Sequence, residues 1–162
     1  GRVIDARGAG PLCEAEEILA ALEGAPPRIL LRLSEGGDPK RWPAGFRALS
    51  PRLVETLAKL GVKLIGIDTP SVDPETSKEL PSHQMALRHD MRILENLVLA
   101  HVKPGDYELI ALPLLLENLD AAPVRAVLHR PAPRPGPVAP GGCVSDCVEL
   151  DLPATVEGAS RD

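Results

Sequence analysis

A histidine and a glutamate, His83 and Glu95, are the two residues whose types and spacing most directly suggest metal chemistry. Imidazole nitrogens and carboxylate oxygens are common zinc ligands, and each must come within about 2.0–2.2 Å of the ion. On one continuous helix their separation corresponds to about 18 Å of rise, which is too far for the pair to share an ion. The two side chains can converge only if the chain turns between a helix that carries His83 and a strand that carries Glu95.

Glu95 needs a partner because of its surroundings. It lies within the apolar run of residues 93–99, and a buried carboxylate is costly unless a cation, a metal or a hydrogen-bond donor faces it. A salt bridge to Arg88 or Arg92 would satisfy Glu95 as well as a metal would. Two ligands alone do not hold a zinc ion, so the spacing leaves both interpretations open.

A polar loop precedes this pair in the sequence. Asp68, Thr69, Ser71 and Asp73 follow a predicted strand, where α/β proteins often place site residues. These side chains can line a substrate pocket or hydrogen-bond a ligand histidine. Capping of turns by Asp, Thr and Ser explains them equally well.

The other reactive residue types give weaker signals. His89, His101 and His129 are expected at the surface. Cys143 and Cys147 form a Cys-x-x-x-Cys pair, but structural zinc sites use four ligands. The sequence contains no Gly-x-Gly-x-x-Gly, Walker A or Gly-x-Ser-x-Gly motif, so neither a phosphate loop nor a serine-hydrolase nucleophile is predicted. No residue is assigned as a catalytic base or nucleophile.

The elements that would position these residues alternate between strand and helix. Ser50 and Pro51 are typical of a helix start and Gly61 of a helix end. The pattern predicts an α/β fold, a mixed β-sheet with packed helices. The predicted strands cover residues 2–6, 28–33, 63–68, 93–99, 107–113 and 124–129, and the predicted helices cover residues 14–23, 51–60 and 82–92.

Composition excludes several classes of protein. The chain has 162 residues and a net charge of −5, whereas nucleic-acid binders carry a basic face. No apolar run reaches the roughly 18–20 residues that span a bilayer. We therefore expect neither a nucleic-acid partner nor a membrane. The three cysteines do not make a disulfide framework and no signal segment is present, which predicts a cytoplasmic protein.

The composition changes after Arg130. Residues 131–142 are rich in proline and glycine and show no hydrophobic period, which is typical of an extended linker. The sequence therefore predicts a folded part in residues 1–130 and a proline-rich, disordered tail in residues 131–162.

Trp42 and Phe46 supply two of the few aromatic side chains. They can lie at an edge of the sheet, form part of an interface or simply cover the end of the sheet.

Several long stretches resemble bacterial kynurenine formamidases, which belong to the cyclase-like family of metal-dependent hydrolases. The resemblance covers residues 1–129, and several long matches in order are more specific than one short motif. The matching stretches are residues 2–5, 66–71, 73–74 and 77–78, His83, and residues 93–95, 105–113 and 119–128.

This resemblance implies a swivelling β/β/α-like fold and hydrolysis of N-formyl-L-kynurenine to L-kynurenine and formate in tryptophan catabolism. It implies a Zn²⁺ centre, binuclear in the complete enzyme, with His83 and Glu95 as metal ligands. It also implies a small-molecule substrate and a homodimer. Further ligands in the family come from an upstream His-x-x-x-His-x-Asp motif, followed by a histidine for acid/base catalysis. The sequence lacks that motif, so residues 1–130 are expected to be the C-terminal two-thirds of such a domain, inactive as a fragment.

Two positions depart from the family pattern. Asn96 follows the glutamate where the family usually has glycine, and Leu114-Leu115-Leu116 stand where a lysine is common. Two alternatives to a formamidase remain. One is another hydrolase of the cyclase family, similar to those that open the isatin ring, and the other is a non-catalytic scaffold or interaction module.

Overall fold

The predicted alternation of strands and helices is present in the computed structural model, which describes residues 1–38 and 40–130 and the backbone of residues 147–148. The helices are α1 (Ala15–Ile18), α2 (Pro51–Lys59) and α3 (Pro81–Arg88), and a 3₁₀ turn covers Leu19–Leu22. The strands are β1 (Arg2–Asp5), β2 (Leu12–Cys13), β3 (Arg28–Arg32), β4 (Ala48–Leu49), β5 (Leu64–Ile67), β6 (Arg92–Leu94), β7 (Gly105–Asp106), β8 (Glu108–Pro113), β9 (Val124–His129) and β10 (Cys147–Val148).

The central sheet has five strands in the order β6-β5-β3-β1-β7. The first four are parallel, and β7 runs antiparallel to β1, so the mixed α/β sheet predicted from the sequence is confirmed. Residues of β3 and β5 are buried on both faces of the sheet, which explains their continuous apolar sequences. Because the four strands are parallel, their carboxyl ends lie along one edge.

Helix α2 begins and ends where its sequence predicts. The Ser50 hydroxyl accepts a hydrogen bond from the Leu53 amide at 3.1 Å, Pro51 occupies the first helical position, and Gly61 has a φ of +85°. Leu53, Val54 and Leu57 are buried in the core. The helix therefore packs its apolar face into the core that also includes Ile29, Leu31 and Ile65 of the sheet.

Helix α3 is shorter than the predicted helix over residues 82–92. Asp90 has a φ of +51°, its amide bonds the Leu87 carbonyl, and the Met91 amide bonds the Ala86 carbonyl. This is a Schellman motif with aspartate in the position that glycine usually takes. The helix therefore ends at Arg88, and the chain is free to enter β6 at Arg92.

Strand β6 is also shorter than predicted, since it ends at Leu94 instead of Leu99. The chain then folds back over the sheet, where the Leu97 amide bonds the Ile67 carbonyl at 3.0 Å. Gly66 permits this path, because a Cβ there would lie 2.3 Å from a Leu30 methyl carbon and 2.8 Å from a Leu97 methyl carbon. Glu95 consequently lies in a loop and not in a strand.

The chain divides into two compact units, Gly1–Asp106 and Tyr107–Asp162. In the second unit, β8 and β9 form an antiparallel hairpin, with which β10 pairs through β9. The predicted disordered tail and Cys143 fall outside the described residues, apart from the backbone of residues 147–148. Within the described part of the chain, no helix is long and apolar enough to cross a membrane.

Candidate metal site at the carboxyl edge of the sheet

His83 and Glu95 converge. The two elements that carry them, the first turn of α3 and the loop directly after β6, bring His83 Nε2 to 3.3 Å from Glu95 Oε1. Two ligand atoms of a tetrahedral zinc ion at 2.0–2.2 Å would be about 3.4 Å apart. The spacing of the two atoms therefore fits a shared ion, and the turn that the sequence predicts between them exists.

Asp73 fixes the other side of the histidine ring. Its side chain is fully buried, and its Oδ2 lies 2.7 Å from His83 Nδ1 and accepts the His83 amide at 3.0 Å. Asp73 Oδ1 accepts the Ser82 amide at 2.8 Å. A carboxylate on one ring nitrogen directs the opposite nitrogen toward a metal, as in many carboxylate–histidine–metal sites. Among the four polar residues of the loop, Asp73 is therefore the one that hydrogen-bonds the candidate ligand His83.

Glu95 has two partners near its Oε1 atom. This oxygen accepts the Val72 amide at 2.9 Å and faces His83 Nε2. The salt bridge considered from the sequence is not formed with Arg92, whose guanidinium pairs with Asp90 at 2.8 Å. Burial raises the pKa of Glu95 above its usual range, which is the effect that a nearby cation would offset.

Asp68 and Ser71 have local structural contacts. Asp68 follows β5 and accepts hydrogen bonds from the Leu33 amide at 2.7 Å and the Ser34 hydroxyl at 3.0 Å. Burial raises the pKa of Asp68. The Ser71 hydroxyl accepts the Asp73 amide at 3.1 Å. These contacts join neighbouring strand ends and hold the loop that carries Asp73.

A cavity of about 290 Å³ opens at the same edge of the sheet. Its walls come from the segments after three strands: residues 34–38 after β3, residues 68–70 after β5 and residues 96–100 after β6. Arg41, Pro43, Phe46 and Arg47 complete the wall. Asn96, the neighbour of Glu95 in the chain, lines the cavity, whereas His83 and Glu95 are not among its lining residues. The sequence did not predict Phe46 or Arg47 as parts of this site.

The remaining candidates lie elsewhere. His89 and His101 are exposed, as predicted, whereas His129 ends β9 and is half-buried, with its Nδ1 3.5 Å from Glu108. Cys13 is buried, which raises the pKa of its thiol to about 11.

In the part of the chain that the structure describes, no three His, Cys, Asp or Glu side chains are placed to hold a metal ion. A metal ion bound by His83 and Glu95 would therefore need further ligands from outside the described residues.

The charged residues at the end of β1 satisfy one another. Arg7 bonds both Asp5 and Glu35, and Arg32 also bonds Asp5. The Arg7 guanidinium, followed by that of Arg32, holds the pKa of Asp5 well below its usual range. Because these groups pair with each other, this cluster has a structural explanation without a ligand.

Known proteins similar to this chain include bacterial kynurenine formamidases. The chain is 58% identical over 128 residues to the kynurenine formamidase of Delftia acidovorans and 55% identical to those of Bordetella avium and Bordetella pertussis. Each match covers 79% of this chain and 61% of the relative. Over these residues, the chain is similar to kynurenine formamidases. No family model matches it.

Two solved structures share the fold of this chain. A potential metal-dependent hydrolase with cyclase activity has a TM-score of 0.67 at 25% identity, and the match covers 78% of this chain and 62% of that one. A predicted metal-dependent hydrolase from Bacillus stearothermophilus has the same TM-score at 24% identity, with 78% and 61% covered. The chain spans about 61% of the length of the curated relatives.

The backbone conformation at position 96 explains why asparagine can follow Glu95. Asn96 has a φ of +59°, and its amide bonds the Thr69 carbonyl at 3.0 Å. Glycine adopts this left-handed conformation without cost, and asparagine tolerates it better than most residues do. Asn96 therefore preserves the turn that directs Glu95 toward His83.

We expect Asn96→Ala to lower the free energy of unfolding by about 1 kcal/mol, because alanine pays the left-handed penalty. Asn96→Gly should stay within about 0.5 kcal/mol of the wild type, because glycine pays no such penalty. Urea unfolding of the three proteins measures the difference. An alanine variant as stable as the glycine variant would contradict this account of the turn.

Proposed function

We propose that this chain carries the His83–Glu95 part of the metal centre of a kynurenine formamidase, which hydrolyses N-formyl-L-kynurenine to L-kynurenine and formate. The observation that carries the proposal is the Asp73–His83–Glu95 arrangement, in which a buried carboxylate orients a histidine toward a second carboxylate. The identity to curated formamidases over 128 residues supports the substrate. The named metal dependence of the structural neighbours supports a metal, and we propose Zn²⁺.

The reaction adds water across the formamide bond. The carbon–nitrogen bond breaks, the hydroxyl group stays with the formyl carbon as formate, and the arylamine leaves with a proton. When bound, zinc supplies a Lewis acid that lowers the pKa of water and polarises the formyl oxygen. Within this chain, Asp73 holds the His83 ring so that Nε2 faces the site. The Val72 amide holds Glu95 Oε1 beside it.

The proposal includes a homodimer and a cytoplasmic location. Several leucines of the second unit are strongly exposed, with Leu115 98% and Leu112 77% accessible, and such apolar surface is typical of a protein interface. Cys13 is a free thiol, which fits a reducing compartment. Sedimentation equilibrium of the purified chain tests the dimer.

Hydrolysis of N-formyl-L-kynurenine and zinc content test the proposal. We expect neither full zinc loading nor turnover in the 162-residue chain, because its described residues offer two ligands. A chimaera in which the part of the Delftia acidovorans formamidase preceding its matched region is joined before Gly1 should bind zinc and release kynurenine.

The matched control is the same chimaera with Glu95→Gln, which should lose activity while it unfolds cooperatively. A chimaera that folds and binds zinc but leaves formyl-kynurenine intact would overturn the formamidase proposal. Opening of isatin by that chimaera would instead support the other branch of the family, and failure to bind zinc at all would support a non-catalytic module.

A further inference from the structure

The two edges of strand β9 are paired to different extents. On one edge, β8 pairs with all six residues of the strand, Val124–His129. On the other edge, β10 pairs with Leu128 and His129 alone. Within the described residues, no strand therefore lies beside residues 124–127 on that second edge. An open strand edge presents unpaired N–H and C=O groups, which another extended segment can bind.

The two faces of β9 differ in burial. Ala126 and Leu128 are each 1% exposed and Val124 is half-buried, whereas Arg125 between them is exposed. Successive residues of a strand belong to opposite faces, so the even-numbered positions of β9 form its buried face. A strand that pairs with the open edge must therefore be apolar at every second residue, in phase with these positions.

The sequence that follows β10 has this alternation. In an antiparallel ladder, each later residue of one strand lies opposite an earlier residue of the other, and opposite residues share a face. When the register of β10 is continued, three apolar pairs fall on the buried face: Val148 with Leu128, Leu150 with Ala126, and Leu152 with Val124. On the exposed face, Asp151 falls opposite Arg125, and opposite charges across a ladder attract.

The length of the alternating segment also fits the open edge. Residues 147–152 equal in number the six residues of β9, and Pro153 falls just beyond its first residue. Proline cannot donate to a ladder, so it marks an end for the pairing. A shift of register by one residue would move Leu150 and Leu152 to the exposed face. The proline- and glycine-rich composition typical of a linker is confined to residues 131–142.

We propose that the open edge of β9 is a docking site for this chain's own residues 149–152, which continue β10 along the whole of β9. The occupant is this segment because β10 already sets its register and holds its first residues beside the edge. The docked strand covers an edge that would otherwise be open to the same edge of a second copy. No residue of the metal site takes part, so the inference does not depend on the proposed function.

Disulfide cross-linking tests the register in the 162-residue chain with Cys143→Ser and Cys147→Ser. In this background, we expect Arg125→Cys with Asp151→Cys to cross-link within one chain on oxidation, because Cα atoms directly opposite in a ladder are about 4.5–5.5 Å apart. The matched control is Arg125→Cys with Leu152→Cys, which places the two thiols on opposite faces. It should give at least about tenfold less cross-link, since a disulfide requires converging Cβ atoms. Non-reducing electrophoresis and peptide mass mapping measure both.

Amide hydrogen exchange gives a second measurement on the unmodified chain. About half of the amides of residues 149–152 should be protected, because an edge strand bonds its neighbour through alternate residues. Leu150→Pro should abolish this protection and speed exchange at residues 124–127, because proline cannot donate to the ladder. Ala154→Pro, which lies beyond the proposed strand, is the control and should exchange like the wild type.

Three outcomes would overturn the proposal. One is equal cross-linking of the two cysteine pairs. Another is exchange of residues 149–152 at the rate of an unstructured peptide in the wild type. The third is a disulfide that joins two chains instead of closing within one, which would identify a second copy as the occupant of the edge. Failure of the proposed function would show separately, as a zinc-loaded chimaera that does not hydrolyse formyl-kynurenine.

Discussion

Replacing His83 with alanine in the chimaera is expected to lower its affinity for zinc by at least about 100-fold, since loss of a residue that merely orients a ligand already costs 10–100-fold. His83 Nε2 lies 3.3 Å from Glu95 Oε1, and removal of the imidazole leaves that carboxylate as the one ligand supplied by this pair. Glu95→Gln should have a similar effect, because a neutral amide keeps the size of the side chain but loses the charge. Hydrolysis of formyl-kynurenine should fall in parallel.

Competition with a chromophoric chelator measures the zinc affinity, and metal analysis after dialysis measures the stoichiometry. The control is His89→Ala. His89 is the exposed C-cap residue of α3, the helix that also carries His83. That variant should bind zinc like the parent. If zinc stoichiometry and affinity are unchanged in both His83→Ala and Glu95→Gln, then neither residue is a ligand and the site assignment is wrong.

The fold was predictable where local signals were strong. Ser50, Pro51 and Gly61 mark both ends of α2 because capping and left-handed glycine depend on neighbouring residues alone. The end of α3 was placed four residues too late because Asp90, and not glycine, takes the left-handed position of its Schellman motif. The two-residue strands β2 and β4 pair with each other across the fold and carry no pattern of their own.

The candidate site shows the same division between local and long-range information. The periodicity predicts the turn that lets His83 approach Glu95, but it leaves a salt bridge from Glu95 to Arg88 or Arg92 open, and the pairing as metal ligands is implied only by the family resemblance. The choice of Asp73 over Asp68 as the partner of His83 could not be anticipated, because both aspartates follow the same strand and differ only in where the folded loop places them. Arg47 and Phe46 join the cavity through tertiary packing, for which their own sequence positions give no periodic signal.

Replacement of Asp73 by asparagine tests whether the contact between Asp73 and His83 matters. We expect both a lower free energy of unfolding and a lower affinity for zinc. Asp73 is fully buried and its two oxygens serve three donors: the amides of Ser82 and His83 and the ring of His83. Asparagine has one acceptor oxygen, so at least one donor would face its NH₂ group. A buried donor left without its partner costs about 1–3 kcal/mol, which should appear as a lower free energy of unfolding in urea.

The second effect separates a positioning role from a purely structural one. Asp73→Asn in the chimaera should lower zinc affinity by about 10–100-fold, because the His83 ring loses its orienting carboxylate. Asp68→Asn is the matched control: this half-buried carboxylate accepts hydrogen bonds from Leu33 and Ser34 but does not contact His83. It should also lose stability, yet keep its zinc affinity. If the two variants lose stability alike and neither loses zinc affinity, then Asp73 serves only to start α3, and His83 does not depend on it to face a metal.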